Sequence, residues 1–260
     1  MSKNINYRTG NIARFYAEHR RRWNELYPSE RWVFERVVGD SGKLGRMLDV
    51  GCAAGGLGDA LAERFDSLQS YTGLDINEDA VISGRALARS ASYLSDFVAA
   101  DICTWDAKDR QFDLVSALGV VDWNIEATRN LAACWDHVAP GGHLVLSIRL
   151  TPDETICDMN RSSQFIWFDP PPIPPDTERA PYNVFNANEA LNLLARQEPA
   201  PETILVYGYW GPVSTAARTP HERLVFSVAA LRKPIRGDAP VKPKIETHLP
   251  DDVLKQTKPV

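Results

Sequence analysis

The sequence has no excess of basic residues and no long apolar run. Its 260 residues include 29 lysines and arginines against 34 acidic residues, which gives a formal net charge of -5. Broad nucleic-acid binding needs a positive field, so this balance argues against it. No apolar stretch approaches the length that crosses a bilayer, and the N-terminus lacks the apolar centre of a secretory signal. We therefore expect a cytoplasmic protein whose partner is neither a nucleic acid nor a membrane.

Paired cysteines and internal repeats are also missing. The cysteines are Cys52, Cys103, Cys134 and Cys157, and none of them belongs to a Cys-x-x-Cys pair. Free thiols in a reducing compartment are the simplest explanation of this spacing. A chain of 260 residues without repeats is long enough for one large domain with its own hydrophobic core.

Strand and helix patterns alternate from residue 46 onward. Strands are predicted at 46–50, 71–75, 96–100, 112–117, 143–149, 203–209 and 224–231, and helices at 56–65, 78–91, 125–138 and 188–196. An amphipathic helical stripe at 11–27 and a helix at 30–38 precede them. This alternation predicts an α/β fold in which a parallel sheet is covered by helices on both faces. Ligands of such folds bind at the carboxyl ends of the strands.

The most informative segment joins the first strand to the next helix. Its turn contains Gly51, Cys52, Ala53 and Gly55, whose small side chains let the backbone come close to a ligand. The second strand ends in Asp75, an acid that can bind both hydroxyls of a ribose in a doubly wound sheet. Two alternatives need no ligand: the turn could serve strand–helix packing alone, and Asp75 could cap the next helix.

Five segments in this order resemble the class I S-adenosylmethionine-dependent methyltransferases. They are residues 48–55, 74–76, 99–102, 112–118 and 140–147. The resemblance is good over 46–150 and loose over 185–232, and it departs from the family at Ala53, where many members have glycine. It implies a Rossmann-like sheet of seven mostly parallel strands with an antiparallel last strand, an N-terminal helical lid, and S-adenosyl-L-methionine as cofactor.

The resemblance also implies how the chain is divided. Residues 1–45 would form the helical lid, 46–232 the methyltransferase domain, and 233–260 a flexible C-terminal tail. Residues 151–185 would be an insertion on the substrate side, serving as a pocket wall or a lid.

A set of cofactor contacts follows from the resembled family. Asp49 and the turn after it would hold the amino-acid part of the cofactor, and Asp75 would bind the ribose. Asp101 would bind the adenine amine, although a capping or surface role remains an alternative. The full set is Asp49, Gly51, Cys52, Ala53, Gly55, Asp75, Ile76, Asp101, Ile102, Ala117 and Leu118. For the two isoleucines, plain core packing is equally compatible with the sequence.

Three side chains are candidate general bases. Asp122 follows the fourth strand, where the resembled family places groups that face the substrate, but it could instead cap the next helix. His19 lies on an apolar helical stripe, so a structural core histidine is the favoured interpretation. His221 lies near the predicted mouth of the pocket, and an exposed loop residue is its alternative.

Candidate substrate contacts lie on both sides of the predicted pocket. They are Tyr16, Trp123, Arg149 and Tyr182. Arg149 ends the fifth strand and could bind a carboxylate or phosphate of the substrate. Asp122, Asp158 and Asn160 could surround a metal ion, but their spacing does not require one, and we expect none.

The predicted function is methyl transfer from S-adenosylmethionine to a small molecule, with oxygen favoured over nitrogen as the acceptor. No Asn-Pro-Pro-Tyr or Asp-Pro-Pro-Tyr follows the fourth strand, which disfavours DNA or amide nitrogen. One alternative is an NAD(P)-dependent oxidoreductase, because residues 51–56 nearly fit Gly-x-Gly-x-x-Gly. Another is a non-catalytic S-adenosylmethionine-binding partner protein. The sequence does not indicate an oligomeric state.

Overall fold

The computed structural model describes residues 10–88, 91–108, 110–235 and 242–254. The N-terminal part contains α1 (Gly10–Glu18), a 3-10 turn (Trp23–Glu25) and α2 (Pro28–Ser41). The alternating part contains β1 (Gly45–Val50), α3 (Gly56–Arg64), β2 (Leu68–Asp75), α4 (Glu78–Leu87), β3 (Leu94–Ala99), β4 (Phe112–Ala117), α5 (Ala127–Asp136) and β5 (Val138–Thr151). The remainder contains β6 (Ser163–Phe165), β7 (Arg179–Pro181), β8 (Phe185–Asn186), α6 (Ala187–Ala195), β9 (Thr203–Pro212), β10 (Ala217–Arg218), β11 (Arg223–Arg232) and β12 (Lys244–His248).

The central sheet has the order β12-β9-β11-β5-β4-β1-β2-β3, with β8 paired to β5. Strands β1 to β5 run parallel, whereas β11 is antiparallel to both of its neighbours. The predicted mostly parallel α/β sheet is therefore confirmed. The predicted number of strands is wrong, because nine strands of the described chain join the sheet instead of seven. Strand order reverses between β1 and β4, which is where such sheets bind ligands.

The sheet is buried on both faces. Met47 and Leu48 are adjacent in β1, yet they belong to different hydrophobic clusters, because successive side chains of a strand point to opposite faces. One cluster includes Leu131 and Trp135 of α5, and the other includes Phe34 of α2. Helices thus cover both faces, as parallel sheets require. No helix in the described ranges has both the length and the apolar character needed to cross a bilayer.

The C-terminal segment is not the flexible tail that the sequence predicts. Residues Lys244–His248 form β12, which pairs in parallel with β9 at the edge of the sheet. The ring of His248 lies 4.8 Å from that of Trp32, and the Trp210 indole donates to Asp252 at 3.0 Å. The prediction of a flexible tail over 233–260 is therefore wrong for this segment, while 236–241 and 255–260 lie outside the described residues.

The predicted helical stripe at 11–27 is interrupted. Helix α1 ends at Glu18, and Arg20 has a φ of 61°, which a right-handed helix cannot accommodate. The bend lets the Arg20 side chain reach Glu30 and the Arg21 side chain pair with Asp59 of α3. This segment is thereby fixed against the domain that carries the sheet.

The insertion at 151–185 has its own structure. Strands β6 and β7 form a small antiparallel sheet with β10, which lies between β9 and β11 in sequence. The residues before α6 then return to β5 through the short strand β8.

Candidate active site

A cavity of about 300 Å³ lies at the carboxyl ends of β1, β2, β4 and β5. Side chains or backbone from α1, α2, β11 and the insertion complete its wall. Twelve of the predicted cofactor and substrate residues line it: Asp49, Gly51, Cys52, Ala53, Asp75, Ile76, Asp101, Ile102, Leu118, Tyr16, Trp123 and Arg149. Two of the predicted bases, Asp122 and His19, line it as well.

The turn after β1 approaches the cavity in a left-handed conformation. Gly51 has a φ of 69°, and a Cβ at this position would lie 2.5 Å from Cγ2 of Val120. Ala53 has a φ of 46°, which a residue other than glycine adopts at a cost of about 1 kcal/mol. This backbone explains why small residues fill the turn and why glycine is common at position 53 in the resembled family.

Asp75 ties this turn to the end of β2. Its Oδ2 accepts from the backbone N–H of Ala53 and its Oδ1 from that of Asn77, both at 2.8 Å. The side chain that caps α4 is that of Asn77, which accepts from Ala80 N at 3.2 Å. The alternative in which Asp75 is the helix cap is therefore wrong. Each carboxylate oxygen keeps a second lone pair for a ligand hydroxyl.

Asp49 is buried in the floor of the cavity. Its carboxylate accepts from the Tyr71 hydroxyl at 2.6 Å and from Ser116 Oγ at 2.5 Å. Burial is the main cause that raises the pKa of Asp49 to about 6, while the two hydrogen bonds act in the opposite direction. The carboxyl is therefore ionised at neutral pH, and its burial in the charged form lowers the free energy of unfolding.

Replacing Asp49 with Asn is expected to stabilise the protein at neutral pH. The pKa of about 6 in the folded chain exceeds the ordinary value of 3.8, so the carboxyl favours folding below pH 4 and loses that contribution as pH rises through 6. Asn removes this loss, and the two hydroxyls can rotate to fit its amide. We expect a gain of about 1–3 kcal/mol at pH 7.5 and about a third of that gain at pH 4.5. Urea unfolding of both proteins at both pH values measures this, and a gain that is equal at the two pH values contradicts it.

The far side of the cavity is formed by the ends of β2 and the turn after β3. Ile76, Asp101 and Ile102 line it, and Asp101 Oδ1 accepts from Cys103 N at 2.9 Å. Asp101 thus closes a turn and faces the cavity at once. Two predicted cofactor residues, Gly55 and Ala117, are not among the lining residues. Gly55 packs beside Phe97, and Ala117 is fully buried in the core behind the cavity.

Helix α1 and the insertion meet at the cavity. The Phe15 ring stacks on that of Phe168 with centroids 4.5 Å apart, and Arg14 Nη2 lies 3.6 Å from Oδ2 of Asp169. His19 is exposed, so its favoured interpretation as a core histidine is wrong. Its Nδ1 lies 2.8 Å from the Phe15 carbonyl oxygen, and its ring stacks on Phe15. A carbonyl only accepts, so in the neutral ring the proton lies on Nδ1 and the lone pair on Nε2.

Asp122 and Arg149 form a buried ion pair in the wall of the cavity. Asp122 lies in the 3-10 turn Val121–Trp123, with Oδ2 3.1 Å from Nη1 of Arg149. Helix α5 begins only at Ala127 and has no side-chain cap, so the capping alternative for Asp122 is wrong. Burial raises the pKa of Asp122, and the Arg149 charge opposes this shift.

His221 and Tyr182 do not line the cavity. His221 Nδ1 lies 3.8 Å from Oδ2 of Asp153, and burial lowers the pKa of its ring. This placement gives His221 no access to a substrate held in the cavity. Tyr182 lies behind Arg149, whose guanidinium carbon is 3.7 Å from the centre of the tyrosine ring. Tyr182 can therefore act on a substrate only through Arg149.

Residues 47–142 match the family model described as "Methyltransferase domain". This segment supplies β1 to β4, the turn after β1, and both Asp49 and Asp75. The similarity to methyltransferase domains covers 96 of the 260 residues.

Methyltransferases from two bacteria match part of the chain. The chain is 30% identical over 148 residues to the ubiquinone biosynthesis O-methyltransferase of Pseudomonas aeruginosa (strain LESB58), a match that covers 52% of this chain and 61% of that protein. It is 29% identical over 103 residues to the trans-aconitate 2-methyltransferase of Variovorax paradoxus (strain S110), covering 40% and 38%. The matches thus span 61% of the length of the first relative and 38% of the length of the second.

A solved structure shares the fold. The N-methyltransferase NodS from Bradyrhizobium japonicum WM9, crystallised with S-adenosyl-L-homocysteine, superposes with a TM-score of 0.51 at 17% identity. The match covers 87% of this chain and all of that chain. At this identity the similarity establishes the architecture alone.

Sequence reasoning missed several residues that line the cavity. Both carboxylate oxygens of Glu30 lie 2.6 Å from Nη2 of Arg20, and Ser147 Oγ accepts from Gly119 N at 2.7 Å. Phe226 and Ser227 of the antiparallel strand β11 also line the cavity. The one sequence signal for these lining residues was Glu30, an acid near the apolar residues of α2. The other contacts depend on tertiary packing that no local pattern encodes.

Proposed function

We propose that the chain binds S-adenosylmethionine in this cavity and transfers its methyl group to a small-molecule acceptor, with oxygen as the favoured acceptor atom. The observation that carries the proposal is the convergence of the left-handed turn after β1 and the Asp75 carboxylate on one cavity at the switch point of the sheet. The names of two partly matching relatives, an O-methyltransferase and a trans-aconitate 2-methyltransferase, support methyl transfer.

The residues of the cavity fit the parts of this cofactor. Asp75 offers one free lone pair on each oxygen to the ribose hydroxyls, since its other lone pairs bind Ala53 and Asn77. Ile76 and Ile102 offer apolar faces to the adenine, and Asp49 lies beside the turn that would hold the amino-acid part. When bound, the cofactor supplies a methyl group that its sulfonium has already activated, so the protein mainly aligns the acceptor and removes a proton.

His19 is the candidate base that the geometry favours. Its Nδ1 is held by the Phe15 carbonyl, which leaves the lone pair of Nε2 for an acceptor proton. Asp122 lines the cavity as well, but its Oδ2 is engaged by Arg149. We therefore assign proton removal to His19 and the holding of Arg149 to Asp122.

Replacing His19 with Gln is expected to lower kcat about a hundredfold and to change KM little. Removal of a positioned general base has an effect of this size, whereas glutamine keeps a polar group that can still bond the Phe15 carbonyl. Release of S-adenosylhomocysteine, measured with a panel of small phenols and carboxylic acids, identifies an acceptor and then gives both constants. An unchanged kcat contradicts the role of His19, and the exposed His248, paired to Glu246 outside the cavity, provides a matched His→Gln control.

A calorimetric titration tests the proposed function itself. We expect S-adenosylhomocysteine to bind and NAD⁺ not to bind, because the family and the acids Asp49 and Asp101 favour the adenosyl–amino-acid ligand. Binding of NAD⁺ alone contradicts the proposal in favour of an oxidoreductase. Binding of S-adenosylhomocysteine without turnover on the full panel of acceptors favours the non-catalytic partner protein.

A further inference from the structure

Arg149 is a nearly fully buried cation that faces the cavity. It lies near the carboxyl end of β5 and is only 6% exposed, yet it belongs to the cavity wall. A buried guanidinium is costly unless its donors are bonded. Its partners therefore indicate what the cavity is built to hold.

The hydrogen bonds of Arg149 are confined to one end of its guanidinium. Nη1 donates to the backbone oxygen of Asp122 at 3.1 Å and lies 3.1 Å from Oδ2 of the same residue. The first contact is a hydrogen bond and the second an ion pair, and both lie on the same nitrogen. The Tyr182 hydroxyl is a further polar neighbour of the guanidinium. With both Asp122 contacts on Nη1, the edge formed by Nε and Nη2 keeps donors for a ligand.

Aromatic rings hold this guanidinium in place. Its central carbon lies 3.7 Å from the centre of the Tyr182 ring and 5.2 Å from that of Trp123. Together with the Asp122 pair, these rings fix the plane and direction of the fork before a ligand arrives. A preorganised, planar pair of donors suits a planar group with two acceptor oxygens.

No second cation of the wall offers the same donors. Among the described lining residues the other arginine is Arg20, whose Nη2 already bonds both oxygens of the buried Glu30 at 2.6 Å. A phosphate dianion would need more than one free cation for its charge, whereas a carboxylate is matched by one fork edge. The wall also includes the rings of Tyr16, Trp123 and Phe168, which suit a compact apolar body.

We propose that the methyl acceptor is a small carboxylic acid whose carboxylate binds the Nε/Nη2 edge of Arg149, which makes Arg149 the specificity-determining residue of the site. This inference rests on the proposed function, because it names the substrate class of the same cavity. The inference concerns substrate recognition. Arg149 would bind the carboxylate whichever oxygen of the substrate is methylated.

The test compares carboxylates with amides of the same shape. Benzoate and benzamide, and succinate and succinamide, are titrated calorimetrically into the 260-residue protein with S-adenosylhomocysteine present. We expect at least one carboxylate to bind about tenfold more tightly than its amide, as one charge-assisted hydrogen bond implies. Arg149→Lys should lose this preference, because an ammonium lacks the planar fork.

A control variant and a neutral double variant keep the result interpretable. Arg223 also stacks on a ring, that of Trp210 at 4.3 Å, and pairs with Asp252, but it lies outside the cavity, so Arg223→Lys should keep the preference. If thermal unfolding shows that Arg149→Lys does not fold, Arg149→Met combined with Asp122→Asn removes both charges together and should lose the preference.

The inference is overturned by equal binding of every carboxylate and its amide by the wild-type protein, or by a preference that survives in the Arg149 variants. Tighter binding of phenyl phosphate than of benzoate also overturns it in favour of a phosphate ester. The titration with S-adenosylhomocysteine alone separates the two proposals. If that compound fails to bind while the preference depends on Arg149, the methyltransferase proposal fails and the carboxylate site stands.

Discussion

Replacing Asp75 with Asn is expected to weaken binding of S-adenosylhomocysteine about a hundredfold. The carboxylate accepts from two backbone N–H groups and, in the proposed complex, from two ribose hydroxyls. An amide has one acceptor oxygen, so its NH₂ group must face Ala53 N or Asn77 N and cannot accept from a hydroxyl. Weakening two charge-assisted hydrogen bonds changes affinity by this order of magnitude. Calorimetric titration with S-adenosylhomocysteine measures the loss.

Asp79→Asn is the matched control for this experiment. Asp79 lies four residues further along the chain, in the first turn of α4, and is exposed outside the cavity. Its loss should leave the affinity within about twofold of the wild-type value, because surface charges in high dielectric contribute little. Equal affinity of Asp75→Asn and Asp79→Asn for the ligand would show that Asp75 only ties the turn to β2.

Replacing Asp122 with Ala is expected to lower the free energy of unfolding by about 3–5 kcal/mol, the range found when one partner of a buried ion pair is removed. The variant leaves Arg149 buried without a charged partner within the described part of the chain. Asp122→Asn should be milder, since the amide oxygen can still accept from Nη1. Urea denaturation of the three proteins at neutral pH gives the values.

An exposed ion pair provides the comparison for Asp122. Glu35 and Arg64 lie 3.3 Å apart with side chains 47% and 49% exposed, so Glu35→Ala should cost less than about 1 kcal/mol. A loss for Asp122→Ala as small as that for Glu35→Ala would mean that water reaches Arg149. That result would favour Asp122 as the general base instead of as the residue that holds Arg149.

The parallel part of the sheet could be predicted because its strands carry their own signals. The first strand is apolar on both sides and ends in a run of small residues, and the second ends in an acid. Edge elements lack such signals. Strand β12 has the sequence Lys-Ile-Glu-Thr-His, which is largely polar, and it forms because β9 presents an unpaired edge. The short strands of the insertion likewise depend on partners far away in sequence.

The part of the cavity that belongs to the first βαβ unit could also be predicted, whereas the rest could be predicted only in part. Asp75 and the turn after β1 belong to this continuous unit, so spacing alone brings them together. The rest of the cavity is assembled from α1, the insertion and β11, whose relative positions follow from packing such as the Phe15–Phe168 stack. For this reason the exposure of His19 was misjudged, and the Asp122–Arg149 pair was not foreseen.

A crystal structure with S-adenosylhomocysteine bound tests the central claim most directly. The account predicts both ribose hydroxyls within about 3 Å of the Asp75 oxygens. It also places the adenine between Ile76 and Ile102, and the sulfur on the side of the cavity that holds His19 and Arg149. A ligand bound elsewhere, or a cavity that stays closed at saturating ligand concentration, would contradict it.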